Sequence, residues 1–244
     1  MTYCVGSLLD AGLVMASDSR TNAGVDHVAT FPKMTIFSRP EERVLVLLTS
    51  GNLAVSQAVV SRLNKNIAEG VEPNLHSVIC MFEAARVVGD AVRAVHHEDA
   101  EHLRKHQADF NQSILLGGQI LGEKPRLFQI YAAGNFIEAV AETPYFQIGE
   151  TKYGKPILDR VIKSDSDLDE AAKCTLISFD STIRSNLSVG MPIDLFMYRT
   201  DSYRTDCQIR ITDSDPYFNL LRKGWGEGLK KVFASLPDPE WCRE

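Results

Sequence analysis

The order of hydrophobic patterns along the chain most constrains its fold. Apolar runs typical of strands fill residues 2–51, and two segments with helical spacing follow. Strand patterns then return, followed by two more helical segments, two late strands and a last helix. No linker, repeat or low-complexity stretch interrupts this order. The pattern predicts an α+β fold with antiparallel sheets and segregated helices, in one domain over residues 1–244.

The first 33 residues place three reactive side chains at strand ends. An alternating segment begins at Thr2, and after a turn its predicted partner strand ends at Asp18. Lys33 lies where the next predicted strand begins. A hydroxyl near the N-terminus, a carboxylate and an ammonium therefore belong to one short part of the predicted fold.

These three groups suggest a nucleophile of a particular kind. A threonine hydroxyl is a poor nucleophile until a base takes its proton. We expect Met1 to be removed because Thr2 is small, and the freed α-amine, with an ordinary pKa of about 7.7–8.0, then serves as that base. Lys33, if close, lowers the pKa of the amine and the hydroxyl. Asp18 would keep Lys33 charged and aimed.

Several short motifs carry a family resemblance. They are Met1-Thr2, Asp18-Ser19-Arg20, Asn22-Ala23-Gly24, Lys33 and Thr49-Ser50-Gly51. In this order they resemble the proteasome β-subunit family of N-terminal-nucleophile hydrolases. The opening Thr-Tyr-Cys-Val-Gly and the run Gly-Glu-Thr-Lys-Tyr-Gly-Lys-Pro at residues 149–156 look most like the bacterial Anbu family of proteasome homologues.

The resemblance implies a four-layer αββα sandwich and a threonine hydrolase acting on peptide or amide bonds. It implies that Gly51 donates its backbone N–H to the oxyanion, that Asn22 holds the substrate by strand-like pairing, and that Ser188 belongs to the catalytic set. It also implies self-association into a ring or a helical stack. No cofactor or metal is expected, and the resemblance does not say whether an unfoldase docks.

Two positions depart from the proteasome pattern. Glu150 occupies the place of a serine that assists the terminal amine, and Ser185 occupies the place of an aspartate. A carboxylate beside the amine would raise the pKa of the amine and make it a weaker base at neutral pH. An assembly-forming scaffold with a weak or lost active site is therefore the alternative function, and an amidase acting on a small molecule is a third.

Cys4 offers a rival nucleophile, since it lies two residues from Thr2 on the same strand face. It cannot become N-terminal unless three residues are trimmed, so we interpret it as a small core residue. The five cysteines are odd in number and widely spaced, which fits reduced thiols and a cytoplasmic location. A formal net charge of −6 argues against nucleic acid, and no apolar run is long enough for a membrane span.

Two helices raise separate questions. The second helix ends in a polar segment with His96, His97, His102 and His106, which we interpret as a solvated helix end because no carboxylate or cysteine set lies at a metal-binding spacing. The last helix begins at Asp215-Pro216, an ordinary N-cap followed by proline. Its predicted buried side consists of Tyr217, Leu221, Trp225, Leu229 and Val232.

Overall fold

The computed structural model describes residues 2–22, 28–105 and 110–241. The strands are β1 (Tyr3–Leu9), β2 (Gly12–Asp18), β3 (Arg20–Asn22), β4 (Val28–Thr30), β5 (Met34–Arg39), β6 (Arg43–Gly51), β7 (Gln112–Ile120), β8 (Arg126–Ile130), β9 (Phe136–Glu138), β10 (Tyr145–Gly149), β11 (Ile193–Arg199) and β12 (Gln208–Ile211). The helices are α1 (Leu53–Glu69), α2 (Met81–Lys105), α3 (Lys155–Val161), α4 (Leu168–Ser185) and α5 (Pro216–Ser235).

Two five-stranded antiparallel sheets form the centre of the molecule. The first has the order β10-β1-β2-β11-β12, and the second has the order β5-β6-β7-β8-β9. The β1–β2 hairpin aligns Cys4 with Ser17 and Leu9 with Gly12, so that the chain leaves β2 at Asp18 beside the start of β1. This register brings the N-terminus and the Asp18 turn to the same end of the first sheet.

Three apolar cores define four layers. One core lies between the sheets and includes Met15 and Leu115. A second, with Val88 and Leu116, packs α1 and α2 onto the outer face of the second sheet. A third, with Phe179, packs α3 and α4 onto the outer face of the first sheet. The predicted αββα sandwich is therefore confirmed.

The predicted order of strands and helices is also correct, but the chain contains one element that the sequence pattern missed. β3 and β4 form a two-stranded ribbon in which Arg20 lies opposite Thr30. The sequence Asn22-Ala23-Gly24 predicts a loop within this segment. Three-residue strands are too short for their alternation to be distinguished from a loop.

The apolar stripes of two helices differ from what the sequence predicts. The helical spacing of apolar residues in α4 continues from Leu168 to Leu187 and predicts that Leu187 is buried, but α4 ends at Ser185 and Leu187 is 87% exposed. In α5, Phe218 is buried, Leu221 and Trp225 are half-buried, and the remaining members of the predicted buried side are exposed. The stripe is present, but the protein's own core covers only its beginning. No helix in the three described ranges is long and apolar enough to span a bilayer.

Candidate active site

Thr2, Lys33 and Gly51 line one cavity at the end of the sandwich where β1 begins. The cavity has a volume of about 220 Å³. Its wall also includes Thr21, Thr49, Ser50, Leu53, Ser56, Asn111 and Gly149. Thr2 precedes β1, Lys33 precedes β5, and Gly51 ends β6, so both sheets contribute. The cavity thus brings together Thr2 and Lys33, which the sequence singled out first, and Gly51, which the family resemblance added.

The predicted ion pair between Lys33 and Asp18 is present and buried. Lys33 Nζ lies 2.6 Å from Asp18 Oδ1, and the two side chains are 5% and 0% exposed. Lys33 Nζ also donates to the carbonyl oxygen of Arg20 at 2.6 Å. These contacts use two of the three N–H donors of an ammonium. They fix the position of a positive charge at the wall of the cavity.

Asp18 is held by backbone donors as well. Its Oδ1 accepts the N–H of Tyr3 at 3.0 Å, and its Oδ2 accepts the N–H of Gly190 at 3.3 Å. Burial raises the pKa of the Asp18 carboxyl, whereas the charge and hydrogen bond of Lys33 and these two N–H groups lower it. One carboxylate therefore links the residue after Thr2, the ammonium of Lys33 and the loop before β11.

The backbone of Thr2 is clamped against β10. The N–H of Glu150 donates to the carbonyl oxygen of Thr2 at 2.6 Å. Gly149 has φ +85°, and a Cβ on it would lie 1.9 Å from the same oxygen. Only glycine allows this approach. Neither contact was anticipated from the sequence, because residues 149 and 2 are distant in the chain.

Gly51 also occupies a position that demands glycine. Its φ is +119°, and a Cβ would lie 1.8 Å from the carbonyl oxygen of Asn111, the residue before β7. The backbone of Gly51 consequently turns at the mouth of the cavity. This placement is compatible with the oxyanion role that the family resemblance implies.

Glu150, which departs from the proteasome pattern, and Ser188, which matches it, are connected through Asn186. Glu150 is buried, and its carboxylate accepts from Asn186 Nδ2 at 2.9 Å and from the N–H of Lys152 at 3.1 Å. Asn186 Oδ1 in turn accepts the N–H of Ser188 at 2.9 Å. Ser188 is half-buried, and Ser185 is exposed at the end of α4. The Glu150 carboxylate is thus engaged by two donors, while the backbone N–H of the same residue contacts Thr2.

β3, along which the family resemblance places the substrate, contains a cavity residue that the sequence did not indicate. Asn22 ends β3 opposite Val28, and only its backbone is described. Its neighbour Thr21 lines the cavity, and the Thr21 hydroxyl is buried without a hydrogen-bond partner among the described residues. A buried hydroxyl without a partner is costly, so a bound group or water is expected to satisfy it. The remainder of the motif, Ala23 and Gly24, lies outside the described residues.

Cys4 is poorly suited to act as the nucleophile. It is fully buried, and its thiol lies 3.7 Å from the carbonyl oxygen of Thr49. Burial raises the pKa of the Cys4 thiol, while the charge of Lys33 lowers it only in part. The thiolate form that attacks carbonyl carbon is therefore strongly disfavoured.

A second recess of about 330 Å³ adjoins the cavity and shares Thr49, Leu53 and Ser56 with it. The rest of its wall is mainly small or neutral, and includes Pro32, Thr35, Gln57, Val60 and Ser61. The side chain of a bound group can extend from the cavity into this recess.

The histidines of the second helix do not form a metal centre in the part of the chain that is described. His96 packs its ring edge-on against Phe110, with 4.4 Å between ring centroids. His106 and the side chain of His102 lie outside the described residues. Over the described ranges, no group of three His, Cys, Asp or Glu side chains is arranged to hold a metal ion.

Comparison with known proteins identifies the family. The model of the family described as "Proteasome subunit" matches residues 2–196. The chain belongs to the proteasome family. Within this family it is 54% identical to the Anbu protein of Yersinia bercovieri, with 98% of this chain and 99% of that chain covered and a TM-score of 0.92.

Two other Anbu structures give the same result. Anbu from Hyphomicrobium sp. strain MC1 is 51% identical, with 98% and 99% of the two chains covered and a TM-score of 0.89. The Anbu complex of Pseudomonas aeruginosa, solved as a helical assembly, is 47% identical, with 99% and 100% covered and a TM-score of 0.94. Among curated proteins, none matches significantly. This proteasome-family chain therefore shares the Anbu fold over nearly its whole length.

Proposed function

We propose that this protein is a threonine-type amide hydrolase in which Thr2, freed by removal of Met1, is the nucleophile. The observation that carries the proposal is the placement of Lys33 Nζ, held at 2.6 Å by both Asp18 and the Arg20 carbonyl, in the cavity that Thr2 lines. A fixed ammonium beside a hydroxyl stabilises the alkoxide that attack requires.

The reaction is acyl transfer in two stages. The α-amine of Thr2 accepts the hydroxyl proton while the oxygen adds to the carbonyl carbon of the substrate. The negative charge on the resulting oxyanion is stabilised by the N–H of Gly51. Collapse breaks the C–N bond, and the departing amine takes the proton from the Thr2 ammonium. Water, deprotonated by the same amine, then hydrolyses the ester.

Substrate placement follows from the cavity wall. A peptide or amide lies along β3, with Asn22 and Thr21 on one side, and directs a side chain into the recess lined by Thr35 and Gln57. The mixed, neutral wall favours an uncharged side chain of moderate size. The proposal extends to self-association into a ring or helical stack in the cytoplasm, which is supported by the helical assembly of the Pseudomonas aeruginosa Anbu complex.

The test is an adduct that only an N-terminal threonine can form. A peptide epoxyketone is closed into a ring by both the hydroxyl and the α-amine of one residue. We expect the intact mass of the purified protein to lack Met1 and to increase by one probe on incubation. Thr2→Ala is expected to abolish this increase, and Thr2→Ser, which keeps both groups, is expected to retain it. A protein that keeps Met1 contradicts the proposal.

The second candidate, an assembly-forming scaffold with a weak site, is favoured by one observation. Glu150 is buried, and its backbone N–H donates to the Thr2 carbonyl oxygen. A negative charge close to the α-amine of Thr2 would keep more of that amine protonated at neutral pH, and a protonated amine cannot take the hydroxyl proton. If the protein is fully trimmed of Met1 and still forms no adduct, the scaffold replaces the hydrolase as the function.

A further inference from the structure

The outer part of α5 is apolar and uncovered. Leu229, Val232 and Leu236 are 53%, 59% and 61% exposed, and neighbouring Phe233 is 79% exposed. We call Leu229, Val232 and Leu236 the outer stripe. A typical monomer keeps its largest exposed apolar patch near 300–600 Å², and larger patches usually mark an interaction site.

The inner part of the same helix is firmly docked. Asp215 caps the helix by accepting the N–H of Phe218 at 2.7 Å, and Phe218 is 1% exposed. Arg222 Nε lies 2.9 Å from Oδ1 of Asp180, a buried carboxylate on α4. The start of α5 therefore has a fixed position on α4.

The outer stripe continues the docked face of the helix. Phe218, Leu221 and Trp225 are spaced by three and four residues. Leu229 and Val232 extend this spacing along the last turns of α5, and Leu236 is the residue that follows the helix. Residues at such spacings share one face of a helix. The inner part of this face is covered by α4. The outer stripe, which continues it, is covered by no described residue of the same chain.

Three glycines add a separate indication. Gly224, Gly226 and Gly228 lie within two turns, and a Cβ on any of them would meet nothing within 4 Å. Each costs a helix about 1 kcal/mol relative to alanine. No contact among the described residues requires glycine there, and the absence of side chains allows a neighbouring molecule to approach this stretch of α5 closely.

We propose that the outer stripe of α5 packs against the outer stripe of a second copy of this chain. The inference rests on the self-association included in the proposed function and names the surface. The outer stripe begins at Leu229 and α5 ends at Ser235, so it spans about 10 Å of helix and contributes only part of the ~800 Å² per partner that a standard interface buries. The same stripe exists on every copy, so a two-fold arrangement matches it to itself.

The test compares two single substitutions on the same turn of α5. Val232→Glu introduces a charge into the outer stripe. Ala234→Glu introduces the same charge on the exposed polar face, in line with Lys223, Glu227 and Lys230. Both positions are exposed in the isolated chain, so neither change is expected to alter its folding. Association is measured by sedimentation velocity over a wide concentration range.

Tryptophan fluorescence supplies a second readout. The chain has two tryptophans, Trp225 within α5 and Trp241 shortly after it. Trp241 is 85% exposed, so pairing of the helices is expected to shift the emission to shorter wavelength as concentration rises. We expect Val232→Glu to weaken association roughly tenfold or more and to remove this shift, and Ala234→Glu to change neither.

The opposite results overturn the inference in distinguishable ways. If Val232→Glu associates like the unchanged protein, another surface forms the assembly and the outer stripe is not the interface. If the unchanged protein binds vesicles of anionic phospholipid through Val232 while its association is unaltered, the stripe faces lipid. If the unchanged protein stays monomeric at every concentration, self-association fails as well, while the Thr2 adduct still decides the hydrolase proposal.

Discussion

At the scale of single residues, the site depends on a buried charge pair whose members hold each other in place. Asp18 is fully buried and Lys33 nearly so, and each also contacts backbone groups. Removing one member of such a pair leaves an uncompensated charge in a poorly solvated position. The pair is therefore expected to matter for stability as well as for the reactivity of Thr2.

We expect Lys33→Met to lower the free energy of unfolding by about 3–5 kcal/mol, because Asp18 then stays buried without its cation. The double variant Asp18→Asn/Lys33→Met removes both charges and is expected to lose less than the sum of the two single variants. Urea denaturation of the four proteins measures this coupling. All variants lacking Lys33 are also expected to lose the Thr2 adduct.

A matched control is the exposed pair of Arg62 and Glu98. Its charged atoms lie 2.7 Å apart, close to the 2.6 Å of the buried pair, but its side chains are 39% and 58% exposed. Arg62→Met is expected to cost less than about 1 kcal/mol, since water screens both charges. Similar losses for the buried and the exposed pair would contradict the role given to burial.

At the scale of secondary-structure elements, the position of Thr2 is set by the pairing of β1 with β10. Tyr3 lies opposite Gly149, and the next contact beyond this pair is the hydrogen bond from Glu150 to Thr2. The end of β10 therefore supports the backbone of Thr2. The contact leaves no room for a side chain at residue 149.

Gly149→Ala is expected to reduce the free energy of unfolding by more than about 3 kcal/mol and to slow the Thr2 adduct, because its Cβ would displace the Thr2 carbonyl. Gly122→Ala is the matched control. Gly122 has a nearly identical φ, +89°, but a Cβ there meets nothing within 4 Å, so only backbone strain of about 1–2 kcal/mol is expected. Urea denaturation of both variants tests the difference, and equal losses would argue against the clamp.

The local sequence pattern predicted the strands and helices but not all of the contacts between them. The order of strands and helices, the N-cap of α5 and the pairing of Asp18 with Lys33 followed from spacing and charge. The contact between Glu150 and Asn186 did not, because it joins residues 36 positions apart, one just after β10 and the other at the end of α4. The α5 stripe was recognised as a face requiring burial, but periodicity cannot say which chain supplies the cover.

At the scale of the whole molecule, the spacing between the two sheets decides whether their shared core is filled. Glycines allow the closest approaches. A Cβ on Gly117 would lie 2.5 Å from Met15 Sδ across the gap, and a Cβ on Gly118 would lie 2.2 Å from the carbonyl oxygen of Val44 on the adjacent strand. From the sequence, two consecutive glycines within a strand predict a bulge or a site of close packing. β7 pairs with β6 without interruption through both residues, and both make close approaches, so the pair is a site of close packing.

Gly117 faces the side chain of Met15, whereas Gly118 faces the backbone of Val44. A second substitution at Met15 is therefore expected to restore stability to an alanine variant of Gly117 but not to one of Gly118. Gly117→Ala is expected to cost about 1–3 kcal/mol by overpacking the core between the sheets. Met15→Val shortens the opposing side chain and is expected to restore part of this loss. Gly118→Ala meets backbone instead, so Met15→Val is expected to give it no relief. Urea denaturation of the single and double variants measures both couplings. Equal rescue at the two glycines, or none at Gly117, would mean that the contact with Met15 does not set the distance between the sheets.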